Sequence, residues 1–406
     1  MFLLKLALLN IGRNPRRSLI TILAVGVGLA ALIFLWGFSD GTNEQMRENV
    51  IRLFTGHVQI HATGFNKSLA PENVIPERPE VLKKIRANPL VTGISERVKC
   101  EALIGTTENS RGILLMGIDP EQESEVTELG KYIREGEFLK PEGSRDIILG
   151  HLLAEKINLS IGDKVVIMTQ AMDGTLAGYA YRVRGIFHTG SHQLDELTAY
   201  ITLPSAQDLL GIGEDTHEIV VRLKTRHVIG EFLKNMNLPE QDRYEILTWS
   251  DIVPEVEQWA TWAEAIIRTI LLAVMVVIGV SIMNTVLMSV YERTREFGVM
   301  LAVGTSPSQV ILLILLETLI LELFGILLGL AAGYLVVGYF GSAGIAFPEL
   351  EKAFSRSYMS TVTYTQVQGR HVFNSVITLI LMTTGIGLYP AWKAGRMEPV
   401  KAIYHS

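Results

Sequence analysis

Four apolar runs, each long enough to cross a bilayer as a helix, constrain this chain more than anything else in it. They are residues 18–38, free of charge; 266–290, broken only by Arg268 near its start; 310–340, which contains Glu317 and Glu322; and 372–391. Spanning hydrocarbon takes roughly 20 apolar residues in a helix, so an integral membrane protein with four transmembrane helices is expected. Charged residues make up 19% of the 406, below the roughly 25% of ordinary soluble domains. A net charge of −6 excludes a generally basic, nucleic-acid-coating protein. The lone Cys100 excludes a disulfide framework and a Cys-based zinc site.

Lys and Arg near the helix ends set the orientation. Lys5, Arg13, Arg16, Arg17, Arg293, Arg295, Lys393, Arg396 and Lys401 stand against only Glu292, Glu296 and Glu398. Both termini and the short middle loop are therefore expected in the cytoplasm, and residues 39–261 outside it. That insertion holds 23 basic and 34 acidic residues, a net −11, whereas the remainder of the chain is net +5. The first run is too long for a signal-peptide core and no A-x-A-like site follows it, so it reads as a retained anchor. Residues 2–12 read as an interfacial helix, with Asn14-Pro15 as the corner leading into the bilayer.

The expected plan is an interfacial segment at 1–17, helices at 18–38, 262–290, 309–340 and 372–391, a cytoplasmic coupling segment at 291–308, a short outer loop at 341–371, and a cytoplasmic tail at 392–406. Residues 39–261 form a large α+β extracytoplasmic domain between helices 1 and 2. Residues 40–54 and 251–262 have helical spacing and read as stalks. Residues 98–103, 145–149 and 164–168 read as strands; 181–187 and 218–223 alternate with period two, the mark of half-buried strands. Residues 151–157 and 205–210 read as short helices.

Catalytic motifs are lacking: no P-loop, no G-x-S-x-G and no H-E-x-x-H. His57 and His61 fall on a strand, where they would stand about 13 Å apart. His188 and His192, followed by Asp195 and Glu196, fall in a segment read as a polar loop, so no metal is expected. Glu317 and Glu322 are costly in a membrane helix and mark function or a protein-facing surface. Gly325, Gly329 and Gly333 form two overlapping G-x-x-x-G steps that admit a close helix neighbour.

Residues 291–307, YERTREFGVMLAVGTSP, begin charged and turn apolar. One reading is an amphipathic surface helix that buries Phe297, Met300 and Leu301 and offers Glu292, Arg293, Arg295 and Glu296 to a partner. The other is a solvated turn. At this point the residues carry a resemblance. NIGRNPRR (10–17), NTVLMSVYERTREFGVMLAVG (284–304) and PAWKAGRMEPVKA (390–402), with MGIDP (116–120), ILG (148–150) and IGD (161–163) between them, resemble the permease family that includes macrolide-exporter, lipoprotein-releasing (LolC/LolE-type) and FtsX-like proteins. The resemblance implies a dimer with a second copy or paralogue. It also implies a non-catalytic subunit working with an ABC ATPase that carries the ATP and Mg, so that no cofactor is bound by this chain. The segment Glu292, Arg293, Thr294, Arg295, Glu296, Phe297 and Gly298 would dock on that ATPase. Membrane lipid, and a lipoprotein or another periplasmic partner, complete the implied partners. GHVQI (56–60) is similar to the lipoprotein-releasing branch, and the coupling segment to the macrolide-exporter branch. A signalling scaffold that activates a cell-wall hydrolase is the rival reading, and a membrane-anchored enzyme the third.

Overall fold

A computed structural model describes residues 2–106, 109–141, 145–236, 241–347, 362–398 and 402. Contacts divide the chain into two compact units: Met1–Asn43 with Trp259–Ala346 and Val362–Ser406, and Glu44–Gln258 with Phe347–Thr361. Helix α1 (Phe2–Arg13) stops at Asn14, and α2 (Pro15–Val50) begins on Pro15. Proline favours the first helical position because its missing N–H has no partner there anyway, so the expected corner is where the chain turns.

The second unit takes in the end of α2 and a π-helical turn at Ile51–Thr55. Its first half runs β1 (Val58–Ala62), α3 (Phe65–Ser68), α4 (Arg78–Arg86), β2 (Val91–Gly105), β3 (Ser110–Ile118), α5 (Pro120–Val126), β4 (Ile133–Gly136) and β5 (Asp146–Gly150). Then come α6 (His151–Ile157), β6 (Lys164–Gln170), β7 (Leu176–Phe187), α7 (His192–Leu197), β8 (Thr198–Thr202) and α8 (Leu203–Leu210). The last pieces are β9 (Glu218–Leu223), α9 (Ile229–Asn235), β10 (Tyr244–Thr248) and α10 (Trp249–Ile252). The strands make one ten-stranded mixed sheet, ordered β10-β1-β9-β2-β3-β8-β5-β7-β4, with β6 bridging β2 and β7. Strand β2 is long enough to serve two cores. Its Val98, Cys100, Ala102 and Ile104 join one apolar cluster, and Ile94 joins a second with Ile60, Ile85, Val221 and Phe232.

One strand reading needs correction. The alternation in 218–223 pointed to a half-buried strand, yet five of the six residues of β9 are buried. The strand lies between β1 and β2, and its polar positions face partners inside the protein. Glu218 Oε1 accepts from Arg97 Nη1 at 2.9 Å, and Arg222 donates to the Val126 carbonyl at 2.8 Å. Period two records which residues share a face; it does not say that the polar face meets water. Arg97, 1% exposed, is the centre of this layer. It donates twice to Glu123, at 2.9 and 2.7 Å, and once to the Phe54 carbonyl at 2.8 Å. Burial alone would neutralise Glu218, but Lys99 and Arg97 beside it outweigh that and hold its carboxyl below the usual range.

The stalk residues pack as their helical spacing implies. Met46, Val50 and Ile51 form a cluster with Trp249, Val253 and Val256. Arg47 pairs with Glu257 at 3.0 Å, and Arg226 with Glu44 at 2.6 Å.

The chain continues with α11 (Pro254–Glu292), which belongs to the first unit from Trp259 on, then α12 (Thr294–Ala302), α13 (Pro307–Ala343) and α14 (Gly369–Gly395). Helices α2, α11, α13 and α14 are long and apolar enough to cross a membrane. Helix α13 opens with a capping box, Ser306 and Gln309, followed by Pro307, which fixes where it starts. The glycine stripe finds its neighbour in α2. A Cβ on Gly325 would meet Val25 Cβ at 2.6 Å, one on Gly329 the Gly26 carbonyl at 2.8 Å, and one on Gly333 Ile33 Cβ at 2.9 Å. Beyond this stripe, Thr365 Oγ1 donates to the Val337 carbonyl of α13 at 2.7 Å and the Gln366 N–H to the Gly37 carbonyl of α2 at 2.8 Å. The expected loop at 341–371 includes residues outside those described, as does the end of the tail at 392–406, with Lys401.

Candidate functional site

Where α1, α2, α11, α12 and α13 meet, six charged side chains interlock. Three arginines, Arg13, Arg17 and Arg293, lie within reach of three glutamates, Glu292, Glu296 and Glu317, of which Glu317 is in the third turn of α13. Arg17 Nη1 lies 2.8 Å from Glu292, and Arg13 Nη1 lies 3.0 Å from Glu296. Arg293 is central: its Nε donates to Glu296 at 2.9 Å, and its Nη1 lies 2.9 Å from each Glu317 carboxylate oxygen. Asn10 of α1 donates to Glu317 at 2.6 Å. The Arg293 guanidinium also sits over the Phe297 ring, 4.9 Å from its centroid. Burial works against charge on Glu296, but Arg293 and Arg13 outweigh it and hold the carboxyl below the usual range.

Of the two sequence readings of 291–307, the amphipathic helix is the one observed. Phe297 is fully buried and Gly298 is buried with it, while Met300 and Leu301 are half-buried. The charges of this segment also have partners within the chain. Arg293 has a side chain only 12% exposed and points inward to Glu317, while Glu292 and Glu296 answer α1 and α2. The face of α12 that remains open carries Arg295, Val299 and Ala302, followed by Val303. Thr294 Oγ1 bonds back to the Val290 and Tyr291 carbonyls, each at 3.0 Å. The sequence reading used Arg13 and Arg17 only as orientation signals and missed them as ion-pair partners. They lie on either side of the Asn14-Pro15 corner, on two different helices, so their spacing in sequence gave no clue.

Glu317 therefore belongs to this cluster. Glu322, about one and a half turns further along α13, does not: it is 1% exposed, and neither carboxylate oxygen has a hydrogen-bond partner among the described residues. At the opposite end of the unit, His371 Nδ1 lies 3.0 Å from Asp40 Oδ2, and the His371 ring stacks on Trp36 with centroids 4.0 Å apart.

In the second unit the histidine pairs separate as their spacing requires. His57 Nδ1 accepts from the Leu223 N–H, whereas His61 meets Gln59. His192 pairs with Glu196 at 3.0 Å, on a helix where a loop was expected. His188 instead faces His151, their Nδ1 atoms 2.7 Å apart, and Asp195 Oδ2 lies 3.3 Å from the first ring's partner, His151, and 3.4 Å from His188. His151 was read only as the start of a helix.

Residues 18–236 match the family described as MacB-like periplasmic core domain, and residues 268–399 match FtsX-like permease C-terminal. The lipoprotein-releasing system transmembrane protein LolC of Xylella fastidiosa is 22% identical over 406 residues, covering 95% of this chain and 93% of that one. An ABC transporter permease of Bacillus subtilis, YknZ, is 24% identical, with 98% of each chain covered. The macrolide export ATP-binding/permease protein MacB of Acinetobacter baylyi is 21% identical; the match covers 98% of this chain but 59% of that longer one.

Proposed function

The chain belongs to the ABC transporter permeases that carry a MacB-like periplasmic core domain and an FtsX-like C-terminal region, and from that premise we propose that it is the non-catalytic permease subunit of an inner-membrane transporter. ATP is hydrolysed on a separate ABC ATPase, and the permease passes the resulting movement outward by mechanical transmission. Both termini and α12 lie in the cytoplasm, the second unit lies outside, and the subunit works beside a second copy or paralogue.

The observation that carries this reading is the ion-pair cluster around Arg293. It ties α12 directly to α1 and α13, and α2 is held to the end of α11 beside it, so a push on α12 is passed to its neighbours. The open face with Arg295, Val299 and Val303 is the surface offered to the ATPase. Charged partners held in a fixed geometry give register more than net stability, which suits a transmission contact.

The substrate is an amphiphile taken up outside the membrane, a lipoprotein or a similar molecule. Supporting this is an open groove of about 620 Å³ in the second unit, lined by Leu103, Ile113, Met168, Leu176 and Leu197. Leu103 and Leu176 are 49% and 78% exposed.

Purification from native membranes in mild detergent tests the assignment: an ABC ATPase should co-purify in near-equal amount, and its absence under several detergents would remove the transporter reading. Replacing Arg293 and Glu296 with alanine should leave the complex assembled but uncouple ATP hydrolysis from substrate release. Unchanged coupling would take α12 out of the mechanism.

A further inference from the structure

We propose that His151, His188 and Asp195 form a binding site for a divalent transition-metal ion of the zinc class. The three donors come from different parts of the second unit: His151 opens α6, His188 follows β7, and Asp195 lies in α7. What brings them together is a close backbone approach at Gly150. A Cβ there would lie 2.2 Å from the Asp195 carbonyl oxygen, so only glycine lets the α7 backbone lie against the β5–α6 corner.

The donor atoms have the spacing a tetrahedral ion needs. Zinc binds imidazole nitrogen and carboxylate oxygen at 2.0–2.2 Å, which puts neighbouring donors about 3.3 Å apart on a tetrahedron. Asp195 Oδ2 stands 3.3 Å from His151 Nδ1 and 3.4 Å from His188 Nδ1. The remaining edge, 2.7 Å between the two Nδ1 atoms, needs to open by about 0.6 Å to reach that value.

The supporting shell is also present. Asp195 is 1% exposed, and its second oxygen, Oδ1, accepts from the Thr189 N–H at 2.9 Å and from Thr189 Oγ1 at 2.7 Å. The Gly190 N–H reaches Oδ2 at 3.2 Å. Such outer contacts fix a ligating carboxylate in one orientation. The two histidine side chains are 32% and 37% exposed, which leaves a solvent-facing position for water as fourth ligand. Two imidazoles and one carboxylate suit zinc, cobalt or nickel and do not suit calcium or magnesium. The ion would pin α7, whose Leu197 lines the apolar groove.

The test uses the full chain in detergent, purified with a tag that contains no histidine and stripped with chelator. Zn²⁺ alone is titrated in competition with a chromophoric chelator. One tight equivalent is expected, with affinity reduced at least roughly 100-fold in His151→Ala and in His188→Ala, and about 10- to 100-fold in Thr189→Val, which touches only the outer shell. His192→Ala should bind as the unaltered chain does. Co²⁺ in place of Zn²⁺ should give the visible absorption of a four-coordinate ion, and that band should vanish in His188→Ala. Absence of a tight equivalent, or equal affinity in His151→Ala, His188→Ala and the parent, overturns the site. A stoichiometric equivalent lost with His192→Ala but not with His188→Ala overturns it as well. Circular dichroism of each variant separates loss of a ligand from loss of fold.

Discussion

Replacing Arg97 with methionine should loosen the second unit far more than any surface change, and the size of the effect follows from what Arg97 leaves behind. Its guanidinium satisfies Glu123, Glu218 and the Phe54 carbonyl, and all three side chains are buried: Arg97 1%, Glu123 2% and Glu218 0% exposed. Removing one partner from a buried ion pair costs about 3–5 kcal/mol, because the other charge is stranded. Two carboxylates are stranded here, and Lys99, 3.9 Å from Glu218, compensates only one of them. Cys100 reports the loss without an added probe. It is the chain's one cysteine, is 2% exposed three residues along β2, and has a thiol pushed up to about 12 chiefly by burial. A thiol reagent therefore reaches it only when the sheet opens. In the regime where closing outpaces labelling, 3–5 kcal/mol corresponds to labelling faster by roughly 10² to 5 × 10³. The effect carries a pH signature. In the parent, Glu218 titrates below its unfolded value, so its contribution is present above that value and is lost only as pH falls through the folded one; between pH 8 and 5.5 it is constant. In the variant Glu218 loses the Arg97 charge that offsets its burial, so its carboxyl moves up and protonation relieves it as pH falls. The variant-to-parent labelling ratio should shrink from pH 8 to pH 5.5. A ratio under tenfold, or one that does not change with pH, would refute the reasoning.

Gly329→Leu should separate α2 from α13, since its Cβ would meet backbone that cannot move aside; a loss of about 1–3 kcal/mol is expected, read as a lower temperature of aggregation in detergent. Gly338→Ala, where nothing lies within 4 Å, is the control and should gain up to about 1 kcal/mol from helix propensity. Glu322→Leu should stabilise the first unit by up to roughly 2–3 kcal/mol, because it removes a carboxylate buried in an apolar bundle; destabilisation would mean that the carboxylate makes a needed contact. Arg13→Ala should change thermal stability by less than about 1 kcal/mol, since Arg13 and Glu296 are 65% and 41% exposed and exposed pairs contribute little. Its effect should instead be read in ATPase coupling.

Much of the first unit was legible because its signals are long. Four apolar runs, the Asn14-Pro15 corner and the glycine stripe each map onto an element or a contact, since helix length and small-residue spacing are local properties of sequence. The partners of those elements were not legible. Nothing near Arg293 in the chain announces Glu317 or Asn10, and Arg13 meets Glu296 only because two helix ends fold to the same place. The same limit explains Glu218 and His151. A polar residue on a strand looks solvent-facing until the strand becomes central in a mixed sheet. A histidine at a helix start shows no ligand role until Gly150 admits a distant backbone beside it.

Helices α2 and α11 comprise 36 and 39 residues, about 54 and 59 Å at 1.5 Å per residue, and neither has a proline after its first position. They are stiff shafts. The collars at their ends are the π-helical turn at Ile51–Thr55 and the break at Val253 before Pro254. That division makes the two regions unequal under insertion and deletion. One residue added within a shaft turns everything beyond it by about 100°, which breaks the register with its neighbours. One residue added at a collar can be taken up as a local bulge. Length variation in such a protein should therefore accumulate at the collars and in the sheet's turns, and be excluded from the shafts.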